Sequence, residues 1–385
     1  MVDGPLRGIV VLAVTNLVAG AHATAVLADM GADVIRVERP GGRIDPGAGR
    51  EREPLDGINR NKRSVVLDLA AADGAEVFRR MVDCADVVVE NLRPGAMRKL
   101  GLGCDELRAR NPRLVSCSIS GFGATGPYRD RGGFDLVAQA MSGVLSFTGT
   151  ADGELAKLGV PAADLNAGVN AALGVVLALL ERTTSGRGQH VDVSLLDSLL
   201  AYTPVESADW LDHGVVAAPL GTAHRLAAPY EVFRTADGWV AIGAATDATW
   251  RALCAALQRE DLAADERWAT GAGRLAGHAQ LAVELAGQLA ERPTAAWLEA
   301  LQAHHVPCGP VLRIDEALAD PHVLAREMVV ELPDEPGRRV LGVPIKLSRT
   351  PGRVRRRAPR HGEHTAEVLA DFGIAGTAPT AEERA

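Results

Sequence analysis

The chain has 385 residues, 47% of them hydrophobic, which is enough to fill the core of two domains or of one large domain with an appendage. A formal net charge of -8 argues against a general nucleic-acid-binding protein. Five scattered cysteines form no CxxC pair, which argues against a zinc site and a disulfide framework and predicts reduced thiols in a cytoplasmic protein.

Short apolar runs alternate with helix-forming segments up to Ile119. Residues 9–14 and 33–38 have the composition of strands, and residues 21–30 between them predict a helix that ends at Gly31. Such β-α-β alternation predicts an α/β fold with a parallel sheet and helices on both faces. The pattern continues with strands at 64–69, 86–90 and 114–119 and helices near 72–84 and 105–110.

The pattern changes after Asp164. A long apolar helix is predicted to about Thr183; its longest apolar run, 167–180, is too short to span a bilayer, so we expect a buried helix. Alternating residues on both sides of Asp237-Gly238 predict a β-hairpin, and the segment from Ala228 to about Asp320 predicts a second, smaller domain. Helices are predicted there at about 246–257, 273–289 and 294–303, and near the C-terminus at 365–372.

Two aspartates open apolar helical segments. Asp135 lies in Gly-Gly-Phe-Asp-Leu-Val-Ala-Gln-Ala and Asp164 in Gly-Val-Pro-Ala-Ala-Asp-Leu-Asn-Ala-Gly. An unpaired buried carboxylate costs several kcal/mol, so each aspartate is either a helix cap or a reactive group. Gln139, one helical turn beyond Asp135, is either a hydrogen-bond partner of that carboxylate or an exposed side chain.

The first β-α-β unit ends in Glu38, as a dinucleotide-binding fold does. Asn16 to Ala21 (NLVAGA) contains a single glycine where the GxGxxG fingerprint needs three. A nicotinamide- or flavin-linked oxidoreductase therefore remains only a remote alternative.

The segment from Ser120 to Asp135, Ser-Gly-Phe-Gly-Ala-Thr-Gly-Pro-Tyr-Arg-Asp-Arg-Gly-Gly-Phe-Asp, followed by Asp164 at this spacing, resembles the class III CoA-transferases. That family includes formyl-CoA transferase and carnitine CoA-transferase and is related to the alpha-methylacyl-CoA racemases. The resemblance runs from Leu6 to Thr365. It implies a large Rossmann-like domain from residues 1–215 and 330–385, a smaller α+β domain from 225–325, and an interlocked homodimer.

The implied reaction transfers coenzyme A from an acyl-CoA donor to a free carboxylic acid. Asp164 matches the family's nucleophile, which forms an aspartyl anhydride and then an aspartyl-CoA thioester, and Asp135 matches an acidic position that assists. The CoA thioester is a substrate, and no permanently bound cofactor, metal, nucleic acid or membrane is implied. The candidate CoA-binding residues are Arg39, Lys62, Arg63, Asn91, Leu92 and Lys99.

Two alternatives stay open beside CoA transfer. A racemase of this fold carries a histidine before the first aspartate, where this chain has Phe134, so proton transfer from two faces is disfavoured. A non-catalytic CoA-binding relative is disfavoured because Asp135 and Asp164 are both present. The family's glycine-rich lid has its nearest counterpart at Leu220 to Ala228, which contains only Gly221, so a different acid from formate or oxalate is expected.

Overall fold

The computed structural model describes residues 4–42 and 55–374, and the chain divides into two compact units. The first unit comprises Met1–Leu145, Lys157–Val215 and Pro321–Ala385, and the second comprises Ser146–Ala156 and Val216–Asp320. The sequence-based boundaries were 1–215 with 330–385 and 225–325. The second unit therefore also takes a short segment before the long apolar helix; residues 375–385 lie outside the described part of the chain.

The first unit is built on a sheet of six parallel strands. In chain order they are β1 (Val10–Val14), β2 (Asp33–Glu38), β3 (Lys62–Val66), β4 (Val87–Glu90), β5 (Val115–Ser120) and β6 (His190–Ser194). They lie in the order β3-β2-β1-β4-β5-β6, with every neighbouring pair parallel. The α/β class predicted from the alternating segments is confirmed, and the strand order is that of a doubly wound fold with its switch point between β1 and β4.

Helices cover both faces of this sheet, because alternate strand residues are apolar on either side. Leu12, Ile35 and Val88 pack with the helices of residues 72–84 and 365–371, while the helices of residues 19–29 and 162–185 pack together on the sheet. The helices of the first unit are α1 (Ala19–Asp29), α2 (Ala72–Cys84), α3 (Ala96–Lys99), α4 (Cys104–Arg110), α5 (Asp135–Met141), α6 (Ala162–Ser185), α7 (Leu195–Leu200) and α8 (Pro204–His213).

The second unit packs helices against a small antiparallel sheet, β7 (Tyr230–Arg234), β8 (Trp239–Gly243) and β9 (Cys308–Pro310). Three almost fully buried tryptophans, Trp250, Trp268 and Trp297, fill its core. Its helices are α9 (Asp247–Leu257), α10 (Glu260–Ala264), α11 (Gly271–Ala276), α12 (His278–Leu289), α13 (Thr294–Ala303) and α14 (Ile314–Ala319).

One predicted helix of the second unit was wrong. The segment 273–289 forms two helices, α11 and α12, which are separated at Gly277. A Cβ atom on Gly277 would lie 2.4 Å from the Cζ3 atom of the Trp268 ring, so glycine is required where the chain passes the indole.

The chain then returns to the first unit. It forms α15 (Pro321–Ala325), a hairpin of β10 (Val329–Leu332) and β11 (Glu335–Leu341), and α16 (Thr365–Asp371). No strand was predicted between Asp320 and the last helix. Strand β10 has only four residues, and β11 has no buried residue, so neither shows a clear alternation of buried and exposed positions.

Asn61, beside the edge strand β3, holds the returning segment. Its backbone is left-handed, with φ of 64°. Its side-chain amide donates to the Asp29 Oδ1 atom at 2.7 Å and to the Arg353 carbonyl at 2.8 Å. Its Oδ1 atom accepts the backbone N–H groups of Arg355 at 2.6 Å and Arg356 at 3.1 Å. One side chain therefore joins α1 to residues 353–356.

Helix α6 is long and apolar enough, by length and composition alone, to cross a membrane, a test that the core helix of a soluble protein also passes. Its buried side packs on α1, β5 and β6. Its other side exposes an apolar stripe, composed of Val169, Leu173, Val176, Leu177 and Leu180.

Candidate active site

The two aspartates singled out from the sequence begin neighbouring helices of the first unit. Asp135 is the first residue of α5, and Asp164 lies in the first turn of α6. The residue before α6 is Pro161, which offers no capping side chain, so the first N–H groups of α6 need acceptors from elsewhere.

Asp135 supplies one of these acceptors. Its Oδ1 atom accepts the backbone N–H of Ala163 at 2.8 Å, so a side chain of α5 caps α6. Its Oδ2 atom accepts the Gln139 side-chain amide at 2.6 Å. Gln139 is fully buried, so it is a hydrogen-bond partner of Asp135 and not an exposed side chain, the two alternatives left by the sequence. The aspartate that opens α5 is thus a cap, but of the following helix.

Asp164 is held differently. It is half-buried, and within residues 4–42 and 55–374 no hydrogen bond is made to its carboxylate. Burial raises the pKa of Asp164 to about 6, and the negative charge of Asp135 adds to the increase. At neutral pH the Asp164 carboxylate is therefore still ionised, poorly solvated and more basic than an ordinary aspartate, which suits a nucleophile.

The glycine-rich segment before α5 closes on itself. A Cβ atom on Gly121 would lie 2.7 Å from the Gly133 Cα atom, so the two ends of this loop approach more closely than any other residue type allows. Within the loop, the Arg131 guanidinium lies 4.5 Å from the Tyr128 ring centroid and 5.2 Å from that of Phe122. The two ends of this loop are therefore fixed in position directly before Asp135.

A cavity of about 290 Å³ opens at the carboxyl ends of β1, β2, β3 and β4. This is where doubly wound sheets bind ligands, beside their switch point. Its lining comes from strand ends and the loops after them: Val14, Thr15, Asn16, Leu17, Ala21, Arg36, Val37, Glu38, Arg39, Gly42, Leu55, Asn59, Leu67, Asp68, Leu69, Ala70, Leu92 and Leu100.

Two close contacts place the start of α6 near this cavity. Gly168 lies one turn after Asp164, and a Cβ atom there would be 2.9 Å from the Ala19 carbonyl oxygen. A Cβ atom on Gly20 would be 2.7 Å from the Thr15 Cγ2 atom, and Thr15 lines the cavity. The single glycine of Asn16 to Ala21 thus serves helix packing, and the start of α1 joins the carboxylate pair to the cavity.

Lys62 and Arg63, two of the predicted CoA-binding residues, are buried and fully occupied within the fold. The Lys62 ammonium donates to the Ala21 carbonyl at 2.7 Å and also binds Thr24 and Asn59. The Arg63 guanidinium makes ion pairs with three carboxylates, those of Asp33, Glu367 and Asp371. Neither residue lines the cavity. Their geometry points to a structural role and argues against direct contact with phosphate.

The other predicted CoA-binding residues lie at or beside the cavity. Arg39 is exposed, lines it, and donates to the Gly42 carbonyl at 3.2 Å. Asn91 is bound at 2.7 Å to both the backbone N–H and the carbonyl of Asn16, so it fixes one wall. Leu92 lines the cavity, and Lys99 is exposed on α3 next to the lining residue Leu100.

The carboxylate of Glu38 is not free for a ribose. Its Oε1 atom accepts the Arg36 guanidinium at 2.9 Å, and its Oε2 atom accepts the Ser64 hydroxyl. A dinucleotide-binding fold needs this acidic group for the ribose hydroxyls, so the structure adds to the case against a nicotinamide cofactor.

Sequence reasoning missed several residues around the site. Asn16 and Leu17 line the cavity, and Asp68 follows β3 in the same wall. Glu90 ends β4, where its Oε2 atom accepts the Leu92 N–H at 2.9 Å; burial raises the pKa of Glu90 to about 7. The shared signal is position, because each ends or follows a strand whose carboxyl end borders the cavity.

The candidate lid residues belong to the second unit. The N–H of Gly221 donates to the Gly149 carbonyl at 3.0 Å, and the His224 ring stacks on the Tyr230 ring at a centroid distance of 4.7 Å. Gly221 has φ of 61°, a conformation that favours glycine. The segment is therefore held by Gly149 and Tyr230 of the same unit, and a run of glycines would not provide the ring contact.

Comparisons with known proteins identify the family of the chain. Residues 6–365 match the family model of CoA-transferase family III. The chain is 41% identical to the succinate–glutarate CoA-transferase of Agrobacterium fabrum, with 96% of each chain covered. It is 38% identical to the succinyl-CoA:mesaconate CoA-transferase of Haloarcula hispanica, over 96% of this chain and 97% of that protein.

A solved structure shows the same fold. The structure of a CAIB/BAIF family protein from Brucella suis superposes with a TM-score of 0.87 at 35% identity, covering 96% of this chain and all of that one. At this coverage the match extends over nearly the whole chain. The chain therefore belongs to CoA-transferase family III and is an acyl-CoA-dependent transferase.

Proposed function

We propose that this enzyme transfers coenzyme A from an acyl-CoA donor to a free carboxylic acid through covalent intermediates on Asp164. The observation that carries the proposal is the contrast between the two carboxylates. Asp135 is bound through both oxygens, whereas Asp164 is half-buried and accepts no hydrogen bond from any described residue. A carboxylate without donors is the better nucleophile, since attack needs a free lone pair.

The steps follow from this assignment. An Asp164 oxygen attacks the thioester carbonyl carbon, the C–S bond breaks, and CoA leaves as the thiolate, which gives a mixed anhydride. The thiolate then attacks the aspartyl carbonyl carbon and releases the donor's carboxylate, leaving an aspartyl-CoA thioester. The acceptor carboxylate repeats the two steps in reverse order and regenerates Asp164. Water must be kept away, because either intermediate hydrolyses.

The cavity at the carboxyl ends of β1 to β4 is the proposed CoA site. Arg39 is the predicted CoA-binding cation that both lines it and is exposed, so it is the candidate partner for a phosphate or the adenine ring. Leu92 and Leu100 offer an apolar wall to the pantetheine arm. Lys62 and Arg63 are left out of this proposal because the Lys62 ammonium is buried and already donates to three oxygens, and the Arg63 charge is paired with carboxylates.

A dicarboxylic acid is the proposed acceptor. The two relatives described above are named for succinate, glutarate and mesaconate. A second carboxylate needs a cation, and Arg131, on the loop that leads into Asp135, has an exposed guanidinium for which the described residues provide no ion pair. Replacing Arg131 with Gln should raise KM for a dicarboxylate acceptor at least tenfold and leave KM for a monocarboxylate within about threefold.

The covalent intermediate gives the direct test. After exposure to the acyl-CoA donor, hydroxylamine should convert the activated acyl group of Asp164 to a hydroxamate, found by mass spectrometry in the peptide holding residues 159–168. Asp164→Asn should abolish the adduct and lower exchange by several orders of magnitude. An adduct on another residue, or undiminished transfer in a folded Asp164→Asn protein, would contradict the mechanism.

The racemase alternative is tested with a 2-methylacyl-CoA in deuterated water. Phe134, in the position of the racemase histidine, directly precedes α5 and has no group that carries a proton. The α-carbon should therefore stay unlabelled while acyl exchange proceeds. Deuterium incorporation as fast as turnover would reassign the reaction.

A further inference from the structure

Gln139 is a fully buried amide with both of its ends occupied. Its Nε2 atom donates to the Asp135 Oδ2 atom at 2.6 Å, and its Oε1 atom accepts the backbone N–H of Leu158 at 3.0 Å. A backbone N–H can only donate, so the oxygen end of the amide must face Leu158. The orientation of the Gln139 amide is thereby fixed, and its NH₂ group must face Asp135.

This orientation determines the hydrogen-bonding role of the Asp135 carboxylate. The Gln139 NH₂ group and the Ala163 N–H are both obligatory donors, so both oxygens of Asp135 act as acceptors. The two carboxylates are therefore unequal in hydrogen bonding: Asp135 accepts one donor at each oxygen, and no described residue donates to Asp164.

We propose that Gln139 is a positioning residue for CoA transfer: its amide fixes Asp135 as a hydrogen-bond acceptor and ties it to the segment that leads into the helix of Asp164. The inference rests on the covalent function proposed above. Gln139 contacts no reacting atom in this arrangement and acts through Asp135, since its two partners are the Asp135 carboxylate and the Leu158 N–H.

The electrostatics of Asp164 agree with this role. Burial is the larger cause of the raised pKa of Asp164, and the charge of Asp135 is the other. Burial also lowers the pKa of His22, the nearest imidazole on α1, so this ring is neutral at pH 7. The remaining ionisable groups on elements packed against α6 are Asp29 on α1, Cys117 on β5, His190 and Asp192 on β6, and Asp197 on α7, and none of them shifts the pKa of Asp164.

The experiment exchanges donor and acceptor between the two positions. In Asp135→Asn, the introduced NH₂ group meets the NH₂ group of Gln139; turning either amide costs a hydrogen bond to Leu158 or Ala163. In the double variant Asp135→Asn with Gln139→Glu, the introduced carboxylate accepts from both the introduced amide and the Leu158 N–H. The oxygen of the introduced amide accepts from Ala163. Every hydrogen bond is restored and the net charge is unchanged.

If Gln139 positions Asp135, Asp135→Asn should lower kcat at least tenfold. The kcat of the double variant should be at least tenfold higher than that of Asp135→Asn, and its KM for the acyl-CoA should lie within about threefold of wild type. Gln139→Glu alone sets two carboxylates side by side, so the acid limb of its pH profile should move up by about one unit or more. Gln302→Glu, an exposed change on α13, is the matched control and should alter neither quantity.

A second readout needs no catalysis. The titration of Asp164 is followed by ¹³C NMR with [4-¹³C]aspartate, assigned by comparison with Asp164→Asn, in the absence of substrates. Its midpoint should move down in Asp135→Asn, move up in Gln139→Glu, and return to within about one unit of wild type in the double variant. This result would stand even if the enzyme transferred no CoA.

The proposal is overturned if the Asp164 midpoint is the same in all variants, or if the folded double variant is no more active than Asp135→Asn. Should one single variant fail to fold, the other still decides, because the Asp164 midpoint is expected to move down in Asp135→Asn and up in Gln139→Glu.

Discussion

The Asp135 Oδ1 atom accepts the N–H of Ala163, the residue directly before Asp164. One carboxylate thus caps the helix on which the other lies. This arrangement brings the two acidic side chains to the starts of neighbouring helices, and none of the described residues donates a hydrogen bond to the Asp164 carboxylate.

Activity should rise with pH through about 6. The pKa of Asp164 is raised to about 6 by burial and by Asp135, and only the ionised carboxylate attacks a thioester. Values of kcat/KM for the acyl-CoA donor, obtained from initial rates between about pH 5 and 8, should show an acid limb near pH 6. A profile that stays flat down to about pH 5 would show that another group attacks.

Asp164→Asn should stabilise the protein at neutral pH. A folded pKa of about 6 against about 4 in the unfolded chain means that ionisation destabilises the fold as the pH rises from about 4 to 6. The removed penalty is about 1–3 kcal/mol at pH 7. Urea unfolding at pH 7 should show this gain, and the gain should shrink as the pH falls through 6 toward 4. An equal or lower stability of the variant at pH 7 would contradict the burial of this charge.

Arg39→Ala and Arg63→Met should have opposite signatures. Arg39 lines the cavity, so its loss should raise KM for acyl-CoA about tenfold or more with little change in melting temperature. Arg63 binds three carboxylates, so its loss should lower the melting temperature by several degrees and leave KM unchanged. If Arg63→Met raised KM and Arg39→Ala did not, the CoA site would lie elsewhere.

Asn61→Ala should lower the free energy of unfolding by about 3 kcal/mol or more. The variant removes a side chain that makes four hydrogen bonds, and it places alanine at a positive φ. Asn61→Gly is the control, since glycine tolerates the backbone and isolates the loss of the amide. Limited proteolysis should cut the C-terminal segment of both variants faster than that of wild type; equal rates would show that this segment is held by other contacts.

The protein should be a dimer that survives dilution. The apolar stripe of α6 exposes large side chains, with Leu177 at 55% and Leu180 at 64% exposure, which a monomer rarely leaves in water. If two chains interlock, sedimentation at nanomolar concentration should show no folded monomer. Leu177→Glu should reduce the yield of folded dimer, while Thr184→Glu, on the same helix, should not.

The elements with strong periodicity were predictable. The helices of residues 72–84 and 294–303 and strand 33–38 were predicted with the bounds that the structure has. The edge strand β6 and the hairpin β10–β11 were not, because half-exposed strands lack a clear alternation. The split of the predicted helix at Gly277 depends on Trp268, a contact that local sequence does not reveal.

The site was predictable in part. The motif around Asp135 and Asp164 located both carboxylates but not their unequal hydrogen bonding, because the cap on Ala163 joins two different helices. The Asn59 to Ser64 segment looked like an anion site for its charge. Its arginines are instead neutralised by carboxylates that the chain supplies from Asp29 to Asp371, and sequence distance hides those pairs.

The contacts of Asn61 and Arg63 also constrain the order in which the chain acquires its structure. Their partners Arg353 and Asp371 follow by 292 and 308 positions. During synthesis Asn61 and Arg63 have only their N-terminal partners, Asp29 and Asp33, until these later residues emerge. Each missing hydrogen bond of a buried polar group costs about 1–3 kcal/mol. Nearly all of the second unit, Val216–Asp320, is translated earlier and in one piece. Translation of the second unit is therefore complete before translation of the first unit is complete. A ribosome-bound chain stopped at Asp320 should hold a folded second unit and a first unit whose sheet has an open edge.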